Sequence, residues 1–272
     1  MLSLVRDMSR VRPPAVAGLF YPRDADQLRA AVTGYIDACT HVAPARRRPK
    51  ALIVPHAGFP YSGAVAGCAY RVLRDSAAPV SKVVVIGPSH RVPMRGLAVP
   101  SLDWFATPLG NIPIDREGRQ RLREFGLAGT SDAPHAAEHS LELQLPFLQT
   151  VLADFELLPI AVGLAPPGQV ARALDAVWGG PETLIVVSSD LSHHHTYAEA
   201  RKLDDLAMHS ILERRDDLAD EQACGARGIN GLMRIARRRD LEVELLDQRN
   251  SGDTAGDRSR VVGYGSYAVY EA

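Results

Sequence analysis

Three segments carry metal-type donors directly after an apolar run. ALIVPHAG ends in His56, KVVVIGPSH ends in His90, and TLIVVSSDLSHHH carries Asp190 and His193. Imidazole nitrogens together with one anionic donor form a common set for a divalent transition metal that keeps open coordination positions. A single histidine at a strand end is more often a hydrogen-bonded loop residue than a ligand. Three such ends are harder to explain that way, because nothing in a sheet requires imidazole there. His56 and His90 supply the two nitrogens. Two residues compete for the third position. Asp190 would complete a two-histidine, one-carboxylate facial triad, whereas Cys224 in EQACGARGI would bring a softer thiolate suited to zinc, copper or iron. Cys224 precedes a glycine at an expected helix start, where the helix dipole favours a thiolate. His193 is the expected acid/base group, with Asp190 setting its tautomer and pKa. Its neighbours His194 and His195 are expected to face solvent.

EHSLELQLP adds Glu138, His139 and Glu142 within five residues, ahead of a leucine stripe. Pro146 lacks the N–H that an interior helical position needs, so a helix starts or kinks there. His139 and Glu142 are read as pocket-lining, against the plainer alternative of an acidic helix entrance. Arg249, with the turn Asn250–Asp253, could offer donors to an anionic ligand if the pocket only binds. Cys39 and Cys68 fall inside helical patterns, where cysteine behaves as a small apolar residue.

Elements that would position these residues alternate along the chain. Ala51–Val54, Val83–Ile86 and Leu184–Val187 are β-branched runs of the kind buried on both faces of a parallel sheet. Phe155–Val162 and Val261–Val269 are further strands, the latter alternating more and so placed nearer an edge; Glu242–Leu246 is weaker. Helical patterns cover Asp24–Cys39, Gly63–Arg74, Arg116–Phe125, Pro146–Leu152, Pro167–Val177, Tyr197–Glu213 and Ala226–Arg238. Asp24 suits an N-cap. This alternation predicts an α/β fold with a mostly parallel central sheet flanked by helices, its ligands bound outside the carboxyl ends of the strands. Polar breaks at His41–Pro49, Ala165–Gly168 and Ser251–Arg260 are too short to be linkers, and the last reads as a surface loop. A single domain over 1–272, with an ordered core from about residue 12, is expected.

The 31 basic residues nearly balance the 32 acidic ones, so no global field recruits nucleic acid or a membrane surface. The basic runs Arg46–Arg48 and Arg237–Arg239 lack interleaved aromatics and read as solvated faces. MLSLVRDMSRVRPP has no apolar stretch fit for a signal peptide, and three widely spaced cysteines argue against a disulfide framework. A reducing cytoplasm is the expected compartment.

VAGLFYP (Val16–Pro22), PHAGFPYSG, GPSH, EHSLELQLPFL, SSDLSHH and NSGDTAGDRSRVVGYGSYAV together resemble the Memo family, whose bacterial members are called AmmeMemoRadiSam system protein B. The motifs run in order from Val16 to near the C-terminus, so the resemblance covers almost the whole chain. It implies a single Memo-like domain with the fold of LigB-type class III extradiol dioxygenases. It also implies metal ligands at His56, His90 and Cys224, with Asp190 and His193 lining the same pocket. Iron is the implied metal, with copper or zinc as alternatives. A thiol stands where the dioxygenases use glutamate, which favours redox or oxygenase-type chemistry, with a non-catalytic metal- or peptide-binding module and a true extradiol ring-cleaving dioxygenase as the alternatives. Ammecr-type and radical-SAM proteins are the partners that the resemblance implies.

Overall fold

In the computed structural model, which describes residues 10–41, 47–76 and 79–271, the strands follow the β-branched runs closely. They are β1 (Val11–Arg12), β2 (Ala51–Val54), β3 (Lys82–Pro88), β4 (Leu97–Val99), β5 (Trp104–Thr107) and β6 (Gly110–Pro113) in the first half. β7 (Gly129–Thr130), β8 (Glu156–Val162), β9 (Thr183–Ser188), β10 (His193–His195), β11 (Glu242–Asn250) and β12 (Val261–Tyr270) complete the set. The helices are α1 (Ala25–Asp37), α2 (Phe59–Asp75), α3 (Arg116–Glu124), α4 (Ala133–Ala136) and α5 (Leu145–Val151). α6 (Pro167–Ala176), α7 (Tyr197–Leu212), α8 (Ala226–Arg239) and α9 (Ser251–Thr254) follow. Most of the N-terminal segment read for a signal peptide, and Arg46 of the first basic run, lie outside the described residues.

β2, β9, β3 and β8 lie side by side and parallel, which puts their carboxyl ends on one edge. β12 continues the sheet antiparallel beyond β2, and β4 does so beyond β8, so the sheet is mixed with a parallel centre. Alternate residues feed two apolar layers. Leu52, Val54, Val83, Val85, Leu184 and Val186 face α1, α2 and α5. Ile53, Val84, Ile86, Ile185 and Val187 face α6, α7 and α8. Every central strand is thus covered on both sides, which is why these runs are apolar throughout rather than alternating.

Several expectations change. β12 is an interior strand, paired with β11 along one side and, on the other, with β2 near its end and β10 near its start. Its alternation reflects glycines packed under large neighbours, not exposure; a Cβ on Gly265 would stand 2.8 Å from the Tyr267 ring. α2 begins at Phe59 rather than Gly63, because Pro60 sits in its first turn, where a missing N–H costs nothing. The same rule starts α5 one residue before Pro146. The loop expected over Ser251–Arg260 opens as α9, with Asn250 and Asp253 forming a reciprocal cap. β1, β5 and β6 form a separate three-stranded sheet whose strands are too short to show a period.

Cys39 and Cys68 are joined in a disulfide with Cα atoms 5.1 Å apart, which corrects their reading as unpaired apolar residues. The cause lies in how α1 and α2 cross. A Cβ on Gly67 would fall 2.4 Å from the Tyr35 carbonyl oxygen, so only glycine allows this approach. Close crossing then brings together two cysteines separated by 29 positions.

Candidate metal centre

His56 and His90 follow β2 and β3, the two strands that flank β9. Adjacent strands are roughly 4.8 Å apart, so two imidazoles from the flanking ends can meet above the end of the middle strand. Their ring centroids are 5.3 Å apart, at 71°. The third donor comes from the loop before α8. Cys224 N donates to the Asp190 carbonyl oxygen (3.2 Å), and Asp190 N donates to the Cys224 sulfur (3.3 Å). This exchange docks the loop onto the end of β9 and sets Cys224 Sγ 3.3 Å from His56 Nε2. Gly225 makes it possible, since a Cβ there would lie 2.6 Å from Ser189 Cβ and 2.7 Å from the Ser188 carbonyl oxygen.

The hydrogen bonds fix both tautomers. Ser188 Oγ donates to the Ser140 carbonyl oxygen (2.6 Å) and accepts from Gln144 Nε2 (2.8 Å). With its proton committed, it accepts from His56 Nδ1 at 2.8 Å, leaving Nε2 as the lone-pair nitrogen. Tyr70 holds Gln144 in turn by donating to its Oε1 at 2.8 Å. His90 Nδ1 donates to Glu138 Oε1 (2.9 Å), and His90 N donates to Glu138 Oε2 (2.6 Å). His90 Nε2 is left free as well. Burial pushes the Glu138 carboxyl up, but the His90 bonds, with Ser140 N, outweigh it and hold it down to about 2. Each of the two histidines therefore has a partner behind it, the arrangement that orients imidazoles at metal sites.

His56, His90 and Cys224 thus form a group that could hold a metal ion, their donor atoms all within 4.8 Å of one another. The donor set fits such an ion, because two lone-pair nitrogens face a thiol that has no cation beside it. Burial and the neighbouring Asp190 carboxylate push that thiol well up, so it stays protonated without a metal. A second grouping, His90 with Glu138 and His139, has donor atoms equally close. Glu138 is already saturated by N–H donors there, so we read it as support for His90.

Asp190 occupies a different place from the one expected. Its Oδ1 accepts from His56 N at 2.7 Å, and Oδ2 lies 4.0 Å from His56 Nε2. The carboxylate fixes the His56 backbone rather than orienting His193. Burial raises it to about 7, against the pull of the His56 N–H. His193 sits half-buried on β10, and burial lowers its imidazole. His194 is exposed and His195 half-buried.

His139 stacks on His90 with centroids 4.8 Å apart and lies 5.4 Å from His56; burial lowers it to about 4. Glu142 does not line this pocket. It is fully buried, ion-paired with Arg12, and accepts from Tyr21 Oη (2.6 Å) and Ala15 N (2.8 Å). Arg249 is exposed and paired with Asp247 at 3.0 Å. Arg12 carries no signal in the sequence; Ser188, Gln144 and Glu138 stood in motifs that gave no hint of what they hold.

Residues 12–268 match the family described as Memo-like protein. The chain belongs to the Memo family. A MEMO1 family protein of Aquifex aeolicus (strain VF5) is 36% identical over 94% of this chain and 97% of its own length. Another Memo-family relative, from Thermoplasma acidophilum, is 35% identical over 94% of this chain and 97% of its own length. Among solved structures, an uncharacterized protein of Escherichia coli K12 is similar at a TM-score of 0.50 and 12% identity. It matches 82% of this chain and 100% of its own. That likeness concerns the fold alone.

Proposed function

We propose that the chain is a metal-dependent redox protein, holding one transition-metal ion through His56 Nε2, His90 Nε2 and Cys224 Sγ. The observation that carries this reading is the pair of fixed tautomers: Ser188 and Glu138 take the two Nδ1 protons, so both remaining lone pairs are available beside the thiol. When bound, such an ion supplies Lewis acidity or electron transfer at positions the protein leaves open. The protein's part is to hold the imidazoles rigid and to keep their far nitrogens basic. Iron is the metal we assign, with copper and zinc as the alternatives that a mixed nitrogen and sulfur set also accepts.

Cys224 is favoured over Asp190 as third ligand, because Asp190 Oδ1 is committed to His56 N. That supports redox chemistry over ring cleavage, even with a fold related to the LigB-type dioxygenases. Two imidazoles stand ready to move protons at the open face. His193 is the assigned acid/base group, and the stacking of His139 on His90 makes it the second candidate.

The test is metal content after anaerobic and aerobic purification, for the parent and for His56→Ala, His90→Ala and Cys224→Ala. About one equivalent in the parent and little in each variant is expected. Full metal retention in all three variants would overturn the site. Retention in Cys224→Ala alone would return the third position to Asp190.

A further inference from the structure

Beside the three donors a cavity of about 440 Å³ opens between the carboxyl ends of β3 and β8 and the first turn of α8. His90 and Cys224 form part of its wall, so whatever fills it lies against the metal donors. Pro93, Met94, Val162 and Leu164 make the remainder largely apolar. This volume is at the small end for ligand sites and matches a molecule of about one ring with a short substituent.

A single cationic side chain, Arg227, stands in that wall. Its guanidinium donates to Asp220 Oδ2 at 2.5 Å and to the Ala165 carbonyl oxygen at 3.3 Å. The Asp220 side chain is 56% exposed. A pair so exposed is held weakly, so a ligand carboxylate can replace Asp220 at little cost. α8 starts without a side-chain cap, and its dipole adds positive potential at the same end. Both side chains line the same cavity, Cys224 from the turn before α8 and Arg227 from its first turn.

We propose that this cavity binds a small monocarboxylic acid with an apolar, ring-sized body. The carboxylate pairs with Arg227, the body lies between Pro93, Met94, Val162 and Leu164, and the far end meets His90 and Cys224. The inference names the substrate class of the proposed metal centre. It rests on that reading for the reacting end alone, since carboxylate recognition by Arg227 needs no metal.

Phenylacetate and its neutral isostere phenylacetamide are the probes, titrated calorimetrically into metal-free and iron-loaded protein. The acid is expected to bind at least about tenfold more tightly than the amide, in both forms. Arg227→Met should abolish that preference at unchanged metal content. Leu164→Trp, which narrows the cavity from an exposed position, should weaken both probes. Equal affinity for acid and amide, an undiminished preference in Arg227→Met, or no binding of either probe at millimolar concentration would each overturn the proposal. If Arg227→Met does not fold, the comparison of acid with amide on the parent and on Leu164→Trp still decides it. Acid preference in a protein that takes up no metal would sink the metal reading alone. One bound metal without acid preference would sink this inference alone.

Discussion

A carboxylate behind an imidazole orients the ring and makes its far nitrogen a better donor, and Glu138 stands in that relation to His90. Glu138→Gln keeps the shape but removes the charge. Metal affinity should fall about 10–100-fold with the fold intact, as read by competition with a chelator of known affinity. Unaltered affinity would reduce Glu138 to a packing role. His56 differs, because its partner is the neutral Ser188 and its ring is 1% exposed. His56→Ala should cost about 1–3 kcal/mol in denaturant unfolding in addition to the metal, since removing a fully buried ring leaves a cavity. The motifs announced His56 and His90 as donors. They did not announce Ser188 or Gln144, whose roles depend on Val54 and Ser188 being paired across two strands.

Elements meet at this site through close backbone approaches. The turn that carries Cys224 lies on the end of β9 because position 225 has no side chain. Gly225→Ala would drive a methyl into Ser189 and the Ser188 carbonyl, costing about 1–3 kcal/mol and lifting Cys224 away from His56. Metal content should fall with it, and a variant that keeps full metal would show that the loop can dock another way. On the opposite flank, Arg12 threads from β1 into the segment 135–142. It donates to the carbonyl oxygens of His135 (2.9 Å) and Glu138 (2.6 Å) besides pairing with Glu142. Arg12→Met would leave the Glu142 charge buried and unpaired. A loss of about 3–5 kcal/mol is expected. The double variant Arg12→Met/Glu142→Gln should recover part of it, and no recovery would mean that the pair is not the source.

Across the whole molecule, two features tie stability to conditions. Burial pushes Asp204 up to about 6 despite the bond from Ser192 N, so the folded chain keeps a proton there that the unfolded chain has lost. Its stabilising contribution is complete below the ordinary value of 3.8 and disappears as pH rises through about 6. Asp204→Asn should flatten the dependence of unfolding midpoint on pH across that window, and an unchanged slope would assign it elsewhere. The Cys39–Cys68 bond closes a loop with a sequence separation of 29. Reduction should lower stability by about 3–4 kcal/mol by the chain-entropy relation, seen as an earlier melt in Cys68→Ala or in reductant. Among the described residues no helix is long and apolar enough to cross a membrane.

Signals that live within a few neighbouring residues were legible in the sequence. The parallel strand runs, the Asp24 cap and the placing of His56 and His90 at strand ends all follow from residue type and period. So does the family, because its motifs are contiguous. Partner choice across the fold was not legible. Cys224 meets His56 across 168 positions, Arg12 meets Glu142 across 130, and Cys39 finds Cys68 where two helices cross at glycine. No local window holds both members of such a pair. Glu142 shows the consequence most plainly: two residues of one motif, Glu138 and Glu142, are both buried carboxylates. Only the packing of β1 and of the His90 loop against that segment decides that one backs a ligand and the other anchors the N-terminal chain.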